Sequence, residues 1–215
     1  TKELIAGVLG TRWQVLKPLG SFNNQWGLPL TLLRLGPEHQ ALVVELGANR
    51  PGEIAALAAI AGPIIAVVTS VSQVHTEFFG SLEGVRDEKA ALVRAVPAEG
   101  QVVLNADDPR VAGMAAETAA RVLTYGTAPP ALVRAVGDVV ESPDGLQFTL
   151  GAGDALEPVT LALAGRHNVT NALAAAAVGH ALDLPLAEIG RGLEAARPAK
   201  GRCVWRDAGP VRILD

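Results

Sequence analysis

A single cysteine, Cys203, rules out an internal disulfide and fits a reducing cytoplasm. Aromatic residues make up only 4% of the chain, so a core has to be built from Ala, Val and Leu. The 49% of hydrophobic residues leaves ample material for one. There is no basic block and the net charge is −4, which argues against a nucleic-acid backbone as partner while leaving single nucleotides open. Gly, Pro and charged residues interrupt every apolar run before it reaches membrane-spanning length, and no secretion signal opens the chain. Position 1 is Thr rather than Met, which points to an excised fragment. The 215 residues suit one large domain or two small ones.

Short apolar runs are present, and they alternate with helical patterns. Residues 13–19, 41–46, 64–68, 101–104 and 121–125 read as strands. Residues 2–9, 29–33, 51–61, 82–96 and 110–120 read as helices between them. Strand–helix alternation implies right-handed βαβ units and a mainly parallel sheet. After Pro129-Pro130 the pattern changes: 131–141, 146–150 and 158–162 read as strands divided by turn signals such as Ser142-Pro143-Asp144-Gly145. Helices return at 168–182 and 186–196, and 211–214 reads as a last strand. The expectation is an α/β fold with a parallel sheet flanked by helices, its core at 1–128 and 164–215, and a small antiparallel β annex at 129–163.

Two of the apolar runs end on side chains able to hold a metal. Ala41-Leu42-Val43-Val44 leads to Glu45, and Ile64-Ile65-Ala66-Val67-Val68 leads through a polar loop to His75. Runs this short and apolar suggest strands buried on both faces, and ligands of open α/β sheets bind at the carboxyl ends of such strands. Glu45 and His75 would then face one crevice. An ion pair or a helix cap is the commoner reason for a carboxylate such as Glu45, and an ordinary loop position for a histidine such as His75. Ser81 is placed to cap the following helix, where Lys89 reads as a solvated lysine whose ammonium has no lone pair for a metal. Asn105-Ala106-Asp107-Asp108-Pro109 has the make-up of a turn and helix start. Asn168 and Asn171 are three apart on one helix face, so their amides suit either a purine edge or, with His167, capping. Arg202 after Gly201 suits phosphate, as do many surface arginines.

In their order along the chain these segments resemble the central, ATP-binding domain of the Mur ligases. The matching pieces are Phe22-Asn23-Asn24, Glu45-Leu46-Gly47-Ala48-Asn49, His75 with Phe79-Gly80-Ser81-Leu82-Glu83-Gly84-Val85, Lys89, Asn105-Ala106-Asp107-Asp108-Pro109, Gly165-Arg166-His167-Asn168-Val169-Thr170-Asn171 and Gly201-Arg202. The Phe22-Asn23-Asn24 and Gly80-Ser81-Leu82-Glu83 stretches resemble the MurF branch, which adds D-alanyl-D-alanine to UDP-MurNAc-tripeptide. The resemblance implies ATP and two Mg2+ ions. Glu45 would hold one ion, and His75 the other. Lys89 would be carbamylated by CO2, which makes it a metal-binding carboxylate. His167, Asn168, Asn171 and Arg202 would contact ATP, while Asn23 and Asn24 would lie near the UDP-sugar-peptide. The chemistry implied is two-step ligation through an acyl phosphate, in a cytoplasmic monomer of peptidoglycan precursor synthesis.

The resemblance also places the family's phosphate-binding Gly-Lys-Thr loop just before Thr1, and the UDP-binding and C-terminal domains outside the chain. Lys2 is therefore expected to be an ordinary helix residue, Asp215 is left without a role, and the fragment alone is expected to be inactive. Two other readings remain open: a sister ligase, either another Mur step or folylpolyglutamate synthesis, and a non-catalytic nucleotide-binding module.

Overall fold

The computed structural model describes residues 1–73, 76–142, 145–197, 205–209 and 211–214; for 76–77, 205–208 and 211–214 the description is of the backbone. The elements are α1 (Lys2–Leu9), β1 (Val15–Leu16), α2 (Gly27–Leu32), β2 (Ala41–Leu42), α3 (Glu53–Ala61), β3 (Ile65–Val68), α4 (Thr76–Phe79), α5 (Leu82–Arg94), β4 (Gln101–Asn105), α6 (Pro109–Ala112), β5 (Arg121–Gly126), β6 (Val133–Ser142), β7 (Gly145–Ala152), β8 (Ala155–Leu161), α7 (His167–Ala181), α8 (Leu186–Glu194), β9 (Trp205–Ala208) and β10 (Val211–Leu214).

Strands β3 to β8 form one six-stranded sheet in chain order. The β3–β4, β4–β5 and β5–β6 pairings are parallel, and β6–β7 and β7–β8 are antiparallel. The expected annex is thus a continuation of the main sheet, joined through Tyr125↔Val133 and Gly126↔Arg134. Strands β1 and β2 pair in parallel as a separate ribbon, and β9 and β10 pair antiparallel.

Strand β4 shows why this sheet has helices on both faces. Its residues alternate: Val103 enters one core with α1, α7 and α8, while Val102 and Leu104 enter a second with Val93 of α5 and Met114. Helix α7 lies against β3 to β7 and also packs on α1 and α8. Its run Ala172 to Ala177 is fully buried, and small side chains of high helix propensity allow that close approach on all sides.

Several boundaries differ from the sequence reading. The segments read as strands 13–19 and 41–46 pair over only two residues each, extended by a Val43 N–H bond to Leu16 O at 2.9 Å. β2 and β3 are not buried on both faces: both residues of β2 are half-buried, and in β3 only Ala66 and Val68 are buried. β3 is the sheet's edge, so burial on both faces falls instead to β4. The helix expected at 110–120 is one α-turn, α6, followed by a 3-10 turn at Gly113–Glu117. Helix α3 begins at Glu53 behind Gly52, whose φ of +88° only glycine adopts readily, so Pro51 lies outside it. β9 lacked an apolar run and was not foreseen.

Candidate functional site

The carboxyl ends of β3, β4 and β5 are laced together by polar side chains. Asn105, buried at the end of β4, donates Nδ2–H to Thr69 O at 2.8 Å, and its Oδ1 accepts from Asp107 N at 3.0 Å. Asp108 accepts from Val71 N at 2.7 Å through Oδ2, and its Oδ1 caps α6. Asp107 accepts from the backbone and hydroxyl of Thr127, at 2.8 and 3.0 Å. Gly126 leaves room for this, since a Cβ there would lie 2.6 Å from Asp107 Oδ1. The Asn105-Ala106-Asp107-Asp108-Pro109 segment is a turn and helix start, and it also braces three strand ends.

Lys89 joins the same brace. Ser81 caps α5 by accepting from Gly84 N at 3.1 Å, which sets the helix's start. Two turns on, Lys89 Nζ donates to Ser70 O at 2.5 Å. It is therefore not a freely solvated lysine. Burial holds its pKa below the ordinary lysine value, and nearby Asp108 offsets part of that. The loop leaving β3 is thus gripped by Asn105, Asp108 and Lys89. His75, toward which that loop runs, lies outside the described residues.

Glu45 is exposed in the loop after β2. Its Oε1 accepts from Asn23 Nδ2 at 2.9 Å, and Gly47 N donates back to Asn23 O at 2.8 Å. Asn24 turns the other way, toward the head of α2, with Oδ1 accepting from Trp26 N and Gly27 N at 3.1 and 2.9 Å. The two asparagines thus have different jobs: Asn23 holds Glu45, and Asn24 holds a helix. Lys2 is also more than a solvated helix residue. Its side chain is 9% exposed, and Nζ reaches Gly20 O at 2.5 Å, tying the start of α1 to the loop that carries Asn23. That role had no sequence signal, because its partner is a backbone carbonyl.

At the start of α7 the N-cap is Arg166, without a side-chain cap bond, so neither His167 nor Asn168 caps the helix. Asn168 Nδ2 donates to Ala164 O at 2.7 Å, its Oδ1 accepts from Asn171 Nδ2 at 3.1 Å, and Thr1 Oγ1 donates to Asn171 Oδ1 at 2.5 Å. The two amides are joined to each other as their spacing allows, and they tie α7 to the head of α1. His167 lines a cavity of about 530 Å3, with Thr127, Asp138, Arg166 and Thr170. That volume lies within the range of small-molecule sites. Asn168 and Asn171 do not line it. Arg202 lies outside the described residues. Among the described residues no group of three or more His, Cys, Asp or Glu is gathered to hold a metal, and no helix is long and apolar enough to cross a membrane.

The model of the Mur ligase middle domain matches residues 1–179. The UDP-N-acetylmuramoyl-tripeptide--D-alanyl-D-alanine ligase of Mycobacterium tuberculosis (strain H37Rv) is 45% identical over 204 residues, which cover 92% of this chain and 39% of that protein. A crystal structure of MurF from Acinetobacter baumannii superposes with a TM-score of 0.93 at 32% identity, covering all of this chain and 47% of that one. MurF ligase from Thermotoga maritima, solved in complex with ADP, gives 0.88 at 27% identity over all of this chain and 49% of its own. The chain therefore spans less than half the length of each of these relatives.

Proposed function

Because the chain belongs to the Mur ligase middle-domain family, we propose that it is the central, ATP-binding part of an ATP-dependent carbon–nitrogen ligase that joins D-alanyl-D-alanine to UDP-MurNAc-tripeptide. The observation that carries this reading is the 45% identity, over 92% of the chain, to a ligase named for that reaction. The braced strand ends support it, since the carboxyl edge of a parallel sheet is where an α/β fold presents its ligands.

Mg2+ suits the groups present. Glu45 is an exposed carboxylate with one oxygen engaged by Asn23, and hard oxygen donors are what this ion takes. Glu45, His75 and Lys89 would hold two ions. Burial shifts Lys89 toward the neutral amine, the form whose lone pair attacks CO2 in carbamylation. In that step the Nζ–C bond forms as one C–O π bond of CO2 opens, one proton leaves the nitrogen for solvent, and a carboxylate replaces the neutral amine. When bound, magnesium offsets the repulsion among the anions that meet at the γ-phosphate and orients in-line transfer.

The chain's own residues set the stage for this. Asn23 aims Glu45, Asn105 and Asp108 fix the loop leading toward His75, and His167 faces the cavity beside α7. ATP would lie against His167, Asn168, Asn171 and Arg202, and the peptide substrate toward Asn23 and Asn24. The terminal carboxylate of the tripeptide attacks the γ-phosphorus, and ADP leaves. The amine of D-alanyl-D-alanine then displaces phosphate from the acyl carbon and loses its proton. The protein acts as a cytoplasmic monomer in peptidoglycan precursor synthesis.

Turnover tests this reading. The complete protein, given ATP, Mg2+, UDP-MurNAc-tripeptide and D-alanyl-D-alanine, should release phosphate, and omitting either amide-forming substrate should abolish release. The 215-residue chain alone should release none. Phosphate release at the same rate without D-alanyl-D-alanine would overturn the assignment.

A further inference from the structure

Helix α5 presents two consecutive charged residues to two different loops. Lys89 reaches the loop after β3. Its neighbour Glu88 turns inward and is only 8% exposed, three positions after the buried Val85. A carboxylate at such a position is costly unless its oxygens are satisfied. Both are: Oε2 accepts from Gly52 N and Oε1 from Ile54 N, each at 2.7 Å.

These donors are the first N–H groups of α3. That helix has no cap of its own, since its N-cap is Gly52 and makes no side-chain bond. Glu88 supplies from 34 and 36 positions away what a Ser or Asp at Gly52 would supply locally. A negative charge at a helix N-terminus, bonded to two backbone amides, is doubly favoured.

The segment pinned in this way is the one that carries Glu45. Gly47 N bonds Asn23 O, Asn49 and Arg50 N–H groups bond Glu53 Oε2 at 2.7 and 3.2 Å, and Gly52 and Ile54 bond Glu88. Hydrogen bonds and the short backbone stretches between them therefore link Glu45 to the residue next to Lys89. We propose that Glu88 is a positioning residue of the candidate metal centre, which fixes the Glu45 loop relative to Lys89 by holding the amides of Gly52 and Ile54. This rests on the roles given above to Glu45 and Lys89.

The test compares Glu88→Gln, Glu88→Asp and Glu45→Gln in the complete ligase. Glu88→Gln keeps the shape but sets an NH2 group against a backbone N–H. It should raise the half-saturating Mg2+ concentration about tenfold or more, the usual scale for groups that orient metal ligands, while leaving the KM for D-alanyl-D-alanine unchanged. Amide exchange at 47–54 should quicken in the same variant, and Glu88→Asp, which keeps the charge, should restore part of both. If Glu88→Gln does not fold, Glu88→Asp carries the comparison with a smaller shift of the same sign. Unchanged Mg2+ dependence in the Glu88 variants, with a clear shift in Glu45→Gln, would overturn the proposal alone. Unchanged dependence in Glu45→Gln would overturn the role of Glu45 and the proposal with it.

Discussion

Asn23 Nδ2 donates to Glu45 Oε1 at 2.9 Å, and Gly47 N returns a bond to Asn23 O at 2.8 Å. The pair stand 22 positions apart with α2 between them, yet the two loops meet as one unit. Gly47 permits the meeting, because a Cβ there would stand 2.8 Å from the Asn23 amide nitrogen.

Replacing Asn23 by Ala should free the Glu45 carboxylate and raise the Mg2+ requirement of the complete ligase about tenfold. Asn24→Ala should act differently. It removes two bonds to backbone N–H groups at the head of α2, which lowers stability by about 1 kcal/mol, and leaves the Mg2+ requirement where it was. Thermal melting and Mg2+ titration of both variants separate the two roles, and equal Mg2+ curves for both would contradict them.

Lys89 should leave a mark on the pH dependence of stability. Burial disfavours its charged form in the folded state, so its folded pKa lies below the ordinary lysine value. Between those two values the unfolded chain binds more protons than the folded one. Stability contributed at this position therefore rises as pH rises through that interval. In CO2-free buffer, where Lys89 stays an amine, the parent chain should gain in melting temperature relative to Lys89→Met as pH rises toward the ordinary lysine value. Melting curves that stay parallel across the interval would show that Lys89 does not titrate as described.

The crossing of α1 and α8 depends on backbone contact. A Cβ on Gly192 would lie 2.5 Å from Val8 Cα and 2.9 Å from Gly7 O, where neither neighbour is a flexible side chain. Gly192→Ala should cost about 1–3 kcal/mol by overpacking. Gly113→Ala, where a Cβ meets nothing within 4 Å, should be close to neutral. Denaturant melts of the two chains read the difference directly.

The architecture was legible wherever a residue's environment follows from its neighbours in sequence. The apolar run 101–104 gave β4, the alanines of α7 gave a buried helix, and Ser142 with Gly145 marked the β6–β7 turn. What failed was burial that depends on rank in the sheet. β2 and β3 look as apolar as β4, but β2 lies in a two-stranded ribbon and β3 at an edge. In the candidate site Glu45 stood out by its place after an apolar run, whereas Lys89 read as a solvated lysine and was singled out only by the resemblance, and Glu88 resembled any helix glutamate, since its partners are backbone amides 34 and 36 residues away. One signal was available in principle: a helix opening on Gly52, with no capping side chain, leaves N–H groups that need an acceptor from elsewhere. Asn168 and Asn171 were rightly paired by spacing, but spacing does not say whether an amide faces a ligand or its twin.

The most direct test of the account follows an oxygen atom. UDP-MurNAc-tripeptide carrying 18O in its terminal carboxylate is turned over by the complete ligase with ATP, Mg2+ and D-alanyl-D-alanine, and the released phosphate is weighed by mass spectrometry. Ligation through an acyl phosphate transfers one labelled oxygen to each phosphate formed. Unlabelled phosphate, or label recovered in AMP, would contradict it.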